Sequence, residues 1–184
     1  ARHVFLAGND LPQRLATALH FTIAETGFGT GLNFLALLAL LDDGAVSHHG
    51  ACQIDYISVE ARPLPAAVMA QSHQAFPALA KHSRDLVAAL PPYWPGLHRC
   101  DFYNGRVRLH LIYGDAADAL ANADFAADAW FLDGFTPAKN PQLWTSDLLK
   151  SVGRLTRAGG SFATFTAARS VRQGLIDAGF DVEK

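Results

Sequence analysis

The sequence is poor in cysteine: Cys52 and Cys100 are the only two in 184 residues, far apart and in no metal-type spacing. That scarcity argues against a disulfide framework. The simplest expectation is a reducing, cytoplasmic compartment with both thiols as ordinary small residues. Strong charge of one sign is also lacking, since the formal net charge is only −2. No global basic field marks a nucleic-acid binder, although a local patch stays open. Long apolar runs are missing too. The longest, Leu32 to Leu41, is interrupted by Asn33 and followed by Asp42 and Asp43, far short of the ~20 residues that span a bilayer. There is no internal repeat, low-complexity tract or charge block. A G-x-S-x-G elbow and a Walker-type G-K-[ST] are both absent, which leaves acyl transfer and ATP hydrolysis without visible machinery. No His, Cys or acid cluster has metal-site spacing, so no metal is expected; the adjacent His48 and His49 read as loop residues.

Half of the residues are hydrophobic, enough to bury one substantial core, so a single domain over 1–184 is expected. "FTIAETG" (21–27) reads as a buried strand ending in a turn. "LNFLALLALL" (32–41) reads as a helix that is apolar nearly all round and therefore covered on most sides. "IDYISVEA" (54–61) is a second strand, and Pro65 to Leu90 has helical composition broken near Pro77. "LPPYWPG" (90–96) is a loop within the domain. "HRCDFYNGRVRLHLIYG" (98–114) places Asn104-Gly105 between two alternating runs, a hairpin signal. Its second arm puts Val107, Leu109 and Leu111 on one face and Arg108 and His110 on the other. "AWFLDG" (129–134) is a buried strand that stops at an acid and a glycine. "QLWTSDLLKSVGRLT" (142–156) reads as an amphipathic helix ended by Gly159-Gly160. "SFATFTA" (161–167) is a strand, "RSVRQGLIDAG" (169–179) a helix, and "FDVEK" the start of a further strand. This alternation is the rhythm of an α/β doubly wound, Rossmann-like sheet, in which ligands lie outside the carboxyl ends of the strands.

Three strands end in acids, and the first runs into "ETGFGTG". There Gly27 permits a tight turn, Gly29 a close approach of backbone to ligand, and Gly31 the packing of helix on sheet. A dinucleotide site has G-x-G-x-x-G, whereas the third glycine here comes one residue early. Glu25 before it suits a cationic or polyhydroxylated ligand better than a pyrophosphate. S-adenosylmethionine, with an ammonium, a sulfonium and a ribose diol, fits that description; a glycine-rich turn with no ligand is the bland alternative. Glu60, closing the second strand, is placed to accept from both ribose hydroxyls or to be a solvated strand-end charge. Asp115 in "IYGDA" is either a plain helix N-cap or an acceptor for an adenine amino group. Asp133, at the mouth of a buried strand, carries a desolvation cost unless it is satisfied; a purely structural strand-end acid is the alternative. The loop behind it offers Lys139 and Asn140 for binding and Phe135 as a stacking surface.

These segments carry a family resemblance. "VFLAGNDLPQRL", "FTIAETGFGTGLNFL", "YISVEARPL", the hairpin into "IYGDA", "AWFLDGFTPAKNPQLWT" and "GGSFATFTAARSVRQGLIDAGF" resemble the methyltransferase domain of the MnmC family, the tRNA 5-methylaminomethyl-2-thiouridine biosynthesis bifunctional proteins. The likeness covers nearly the whole chain, and the pairing of "ETGFGTGLNFL" with "FLDGF-PAKNP" is specific. It implies a class I S-adenosylmethionine-dependent methyltransferase fold that ends before the last strand, in a fragment of a longer protein. It also implies methylation of the 5-aminomethyl group of a wobble uridine of tRNA. By position the cofactor residues fall on Glu25, Gly27, Gly29, Gly31, Glu60 and Asp115, with Phe28, Asn33 and Ala116 beside them, and the catalytic acid on Asp133, which also borders the cofactor. FAD is implied only if a C-terminal oxidase domain follows. The tRNA anticodon stem-loop is the implied partner, with Phe135, Lys139, Asn140, Arg169 and Arg172 on one rim; for the arginines, ordinary solvated charge is the alternative. Rival readings are a methyltransferase for a small molecule or protein, a nucleotide-binding oxidoreductase, and a non-catalytic adenosine-binding domain.

Overall fold

A computed structural model describes residues 2–44, 52–134 and 137–183. Its centre is a six-stranded sheet: β1 (His20–Thr26), β2 (Gln53–Glu60), β3 (Gly96–Phe102), β4 (Val107–Tyr113), β5 (Ala127–Leu132) and β6 (Thr156–Thr164). The order is β3-β4-β2-β1-β5-β6. All neighbours run parallel except β3, which pairs antiparallel with β4. The chain reverses direction across the sheet at β1, where the order steps to β2 on one side and β5 on the other. In open α/β sheets such a reversal is where ligands bind, outside the carboxyl ends of the strands.

Helices α1 (Leu11–Thr17), α2 (Leu32–Asp42), α3 (Ala66–His73) and α4 (Ala80–Ala89) supply one apolar layer. Helices α5 (Ala116–Ala121), α6 (Ser146–Arg154) and α7 (Arg169–Asp177) supply the other. β5 is buried on both faces and shows how alternation serves the two layers. Ala129 and Phe131 join the first core, while Trp130 and Leu132 join the second. α2 is buried from Asn33 to Leu41, as its nearly continuous apolar surface predicts. Phe34 at its start meets Tyr56 and Phe102 edge-on, both at 5.1 Å between ring centroids. The opening segment, including a helical turn over Arg2–Leu6, lies against β5 and β6, with Phe5 on Phe131 at 5.2 Å.

The hairpin forms as expected, with Tyr103, Asn104 and Gly105 all at positive φ in its turn. The cysteines are free and buried. The helix expected over 142–156 is shorter. A turn at Pro141–Trp144 precedes α6, and the Thr145 hydroxyl caps it by accepting from the Leu148 amide at 3.4 Å. Gly159-Gly160 does not end this helix but lies inside β6, which starts earlier and stops at Thr164 rather than Ala167. The pair marks a register shift opposite Ala127 and Ala129. A Cβ on Gly160 would stand 2.9 Å from the Arg157 carbonyl oxygen and 3.0 Å from that of Ala127. Glycine is thus needed there for close backbone approach in an irregular strand. The strand expected from Phe180 is not formed through Glu183. Gly179 at φ 97° instead closes α7, with the Phe180 amide donating to the Leu175 carbonyl at 3.0 Å and the Gly179 amide to that of Ile176. This helix-ending turn lays the Phe180 ring against Phe162 at 5.0 Å. Among the described residues no helix is long and apolar enough to cross a membrane.

Candidate active site

The turn after β1 places Gly27, Gly29 and Gly31 all at positive φ, 88°, 53° and 74°. Each has its own reason. A Cβ on Gly27 would lie 3.0 Å from the Asp133 carbonyl oxygen, so this glycine lets the turn pass close to the end of β5. A Cβ on Gly31 would strike Phe28 and Leu86, both at 2.9 Å, so this glycine makes room for the Phe28 ring and for α4, not for the sheet as read from the sequence. At Gly29 a Cβ would meet nothing within 4 Å, so the backbone there borders open space. The Phe28 ring turns into the core and is 6% exposed, which limits its part in a ligand site to backbone atoms.

Two groups outside the turn hold it. Glu60 Oε2 accepts from the Gly29 amide at 2.8 Å, while its Oε1 accepts from the Arg62 amide at 2.7 Å. The buried His73 on α3 reaches the Thr30 carbonyl through Nε2 at 2.7 Å and the Ser83 hydroxyl through Nδ1 at 2.7 Å. A carbonyl only accepts, so Nε2 carries the proton. Sequence reading missed His73, because nothing in "QSHQ" points to a turn 43 positions away.

Two acids and an amide converge at the carboxyl ends. Glu25 is 1% exposed and accepts from Asn33 Nδ2 at 2.8 Å and from Ser58 Oγ at 2.7 Å. Asn33 Nδ2 also donates to Asp133 Oδ2 at 2.7 Å. Burial is the main reason that the Glu25 carboxyl is pushed up to about 8; the hydrogen bonds from Asn33 and Ser58 oppose it, and the Asp133 charge adds to it. The Tyr56 hydroxyl stands beside the same carboxyl, near enough to feel its field but outside hydrogen-bonding geometry. Glu25 therefore carries a proton at neutral pH in this structure, rather than the negative charge read from the sequence. Asp133 is also raised, by burial first, with the Asn33 hydrogen bond pulling the other way. Ser58 and Tyr56 went unremarked in the sequence; parallel pairing sets Ser58 directly opposite Glu25.

Asp115 is the N-cap of α5, with Oδ1 accepting from the Ala117 and Asp118 amides at 2.8 and 3.2 Å. It is exposed, so Oδ2 can still meet a ligand, and Ala116 beside it is buried. Lys139 is exposed in the loop beyond Asp133, while the Asn140 side-chain oxygen is buried without a partner. Arg169 is exposed at the start of α7; Arg172, one turn on, reaches the Val182 carbonyl at 3.5 Å. The stacking role expected of Phe135 lies outside the described residues, as do His48 and His49. Among the described residues no group of His, Cys, Asp and Glu could hold a metal ion.

The arrangement is an open glycine turn, a strand-end acid bonded to it and a half-buried carboxyl of raised proton affinity. Comparison with known proteins gives the family. The sequence profile of a family described as S-adenosyl-L-methionine-dependent methyltransferase matches residues 77–184. Proteins called tRNA 5-methylaminomethyl-2-thiouridine biosynthesis bifunctional protein MnmC are similar over the whole chain. Those of Marinomonas sp. (strain MWYL1) and Ralstonia nicotianae are 45% and 47% identical, each over 100% of this chain. That of Magnetococcus marinus is 44% identical over 99%. The chain spans only about a quarter of the length of these relatives, 27% to 28%. A crystal structure of MNMC2 from Aquifex aeolicus superposes with a TM-score of 0.76 at 25% identity, covering 97% of this chain and 53% of that one.

Proposed function

The chain belongs to the S-adenosyl-L-methionine-dependent methyltransferase family, and from that premise we propose that it methylates the exocyclic amine of a 5-aminomethyl group on a wobble uridine of tRNA. The family sets aside the oxidoreductase alternative. The tRNA substrate is drawn from the names of the relatives, whose bifunctional character, and any FAD, concerns sequence beyond the quarter they share with this chain.

The site fits the cofactor on its own evidence: open space at Gly29, a carboxylate beside it in Glu60, and an exposed Asp115 with one oxygen uncommitted by its cap. Gly27 to Gly31 and Glu60 hold the nucleoside, and Asp115 with Ala116 the base. When bound, S-adenosylmethionine supplies an electrophilic methyl: the amine nitrogen forms the N–C bond as the C–S bond breaks, and the sulfonium leaves as a neutral thioether.

The residues of this chain have a narrower task. An alkylamine has a pKa near ~10.4, so at neutral pH most of it is an ammonium with no lone pair. Asp133 accepts the proton and orients the nitrogen. Its raised proton affinity makes it a better acceptor than an exposed carboxylate. Alignment of the reacting atoms in the site supplies most of the remaining acceleration. Lys139, Asn140, Arg169 and Arg172 hold the RNA around the mouth, and the target base is flipped from the anticodon loop towards Asp133.

The observation that carries this reading is Asp133 itself: half-buried, raised in pKa, and tied through one oxygen to the amide at the start of α2. The test is to incubate the protein with labelled S-adenosylmethionine and tRNA carrying 5-aminomethyluridine, then digest and identify the nucleoside. Labelled 5-methylaminomethyluridine is the expected product. Label on a protein or small molecule alone would overturn the tRNA assignment, and normal turnover by Asp133→Asn would overturn the role of Asp133.

A further inference from the structure

Asn33 has two side-chain hydrogens, and both are committed. It stands in the first turn of α2, 6% exposed, with Nδ2 2.8 Å from Glu25 Oε1 and 2.7 Å from Asp133 Oδ2. One hydrogen goes to each acid, so no donor is left for a ligand. The two acids come from neighbouring parallel strands, whose register pairs Glu25 with Phe131 and Thr26 with Leu132. Carboxyls that close repel each other once both ionise, and one of them must keep a proton or turn away. The amide places positive hydrogens between them and prevents the rotation.

We infer that Asn33 is a positioning residue for methyl transfer: its amide bridges Glu25 and Asp133 and fixes the Asp133 carboxylate, with Oδ2 held inward and Oδ1 left for the substrate amine. The inference rests on the reading that Asp133 accepts the proton. Glu25 is a firm anchor for the bridge because it is buried and its other oxygen is held by Ser58. The titratable side chains that face the bridge are Glu25 from β1, Asp133 beyond β5 and Tyr56 from β2. Asn33 lowers the proton affinity of both acids, and the charge of Asp133 raises that of Glu25. Losing the amide therefore has a direction: Asp133 holds its proton to higher pH and loses its fixed orientation.

The test uses Asn33→Ala, Glu25→Gln, their combination and Asp133→Asn. In Asn33→Ala turnover is measured at saturating S-adenosylmethionine, with affinity followed by calorimetry, because the Asn33 side-chain oxygen is still free to accept from the cofactor while both Nδ2 hydrogens are committed. Turnover at pH 7 should fall roughly 10-fold, a fraction of the 10²–10⁴ that a positioned acid–base group contributes. The acid limb of kcat against pH should move up by about one unit, and adding Glu25→Gln should leave that shift in place, since Glu25 is already protonated on the acid side. General structural damage would instead lower kcat at every pH and would be worse in the double variant. Carbon-13 NMR titration of the carboxyl carbons reads the same shift without turnover. An Asp133 titration in Asn33→Ala that coincides with the wild type overturns the inference. If Asp133→Asn turns over normally, the proton acceptor is wrong and this inference falls with it. If Asp133→Asn is inactive while Asn33→Ala keeps the wild-type profile, only the bridge is wrong.

Discussion

Replacing Glu25 with glutamine should make the folded protein more tolerant of alkaline pH. The carboxyl is 1% exposed and is pushed from 4.5 to about 8 by burial, so the fold prefers it protonated. An unfolded chain releases that proton near the ordinary value. The contribution to stability is therefore whole below pH 4.5, falls steadily as pH rises, and is gone above about 8. Across the full window the loss amounts to about 5 kcal/mol, comparable with the entire stability of many domains, so it is an upper bound. His82, held below its ordinary range by burial, acts in the opposite sense up to about pH 6.5. Asp42 and Asp55, both lowered, act only in acid. Between pH 6.5 and 8 the Glu25 effect should dominate at about 2 kcal/mol, or roughly 4–8 °C in Tm for a chain of this size. The amide introduced by Glu25→Gln can accept from Asn33 through its oxygen and donate to the Ser58 hydroxyl, which turns round; neither bond is lost. Thermal unfolding of cofactor-free protein at several pH values should show the wild type falling over this window and Glu25→Gln nearly level. Parallel curves for the two proteins would refute the assignment of the proton to Glu25.

Glu60→Ala should weaken S-adenosylmethionine binding by less than the roughly 1.5–3 kcal/mol of hydrogen bonds to a charged group, because the ribose displaces the Gly29 amide from that acid; unchanged calorimetric affinity would remove the ribose contact. Arg169→Ala with Arg172→Ala should weaken tRNA binding and flatten its dependence on salt, because fewer counterions are released. Cofactor affinity should hold, and normal RNA binding at every salt concentration would place the RNA surface elsewhere. On the other half of the sheet, Asp55 accepts from Arg108 at 2.6 Å and contacts His20 and His110 at 2.6 and 2.8 Å. Burial opposes ionisation there, but hydrogen bonds from Arg108 and the two histidines prevail and hold Asp55 down to about 2. Asp55→Asn should cost about 1–3 kcal/mol at pH 7, with the difference shrinking as pH falls from about 4 through 2; equal urea midpoints at neutral pH would contradict this.

The strands were legible because a parallel strand buried on both faces reads as an unbroken apolar run, and "FTIAET" and "AWFL" end where charge or glycine interrupts them. The glycine turn was legible because three glycines so close together have no other common use between a strand and a helix. What the sequence hid is contact between distant residues. Asn33 and Asp133 lie 100 positions apart, yet one amide nitrogen joins Asp133 to Glu25. Glu25 also reads as an anion in a linear sequence, where burial is invisible. Arg108 and His110, on the less apolar face of their strand, meet Asp55 on the neighbouring strand, and nothing in "RLH" foretells that partner. Gly159-Gly160 misled because paired glycines usually end helices, and only the neighbouring Ala127 carbonyl shows why a strand needs them.

The bond from the Gly29 amide to Glu60 makes the turn its own internal competitor. In the free protein the acid proposed for the ribose already has a donor, so an incoming diol exchanges one partner for another instead of filling a vacancy. The net gain from each hydroxyl is then smaller than the strength of its bond. A nucleoside lacking a hydroxyl leaves Gly29 in place and strands no buried charge. Discrimination between ribose and deoxyribose analogues should therefore be shallow, with affinity resting on the base and the cationic end of the cofactor.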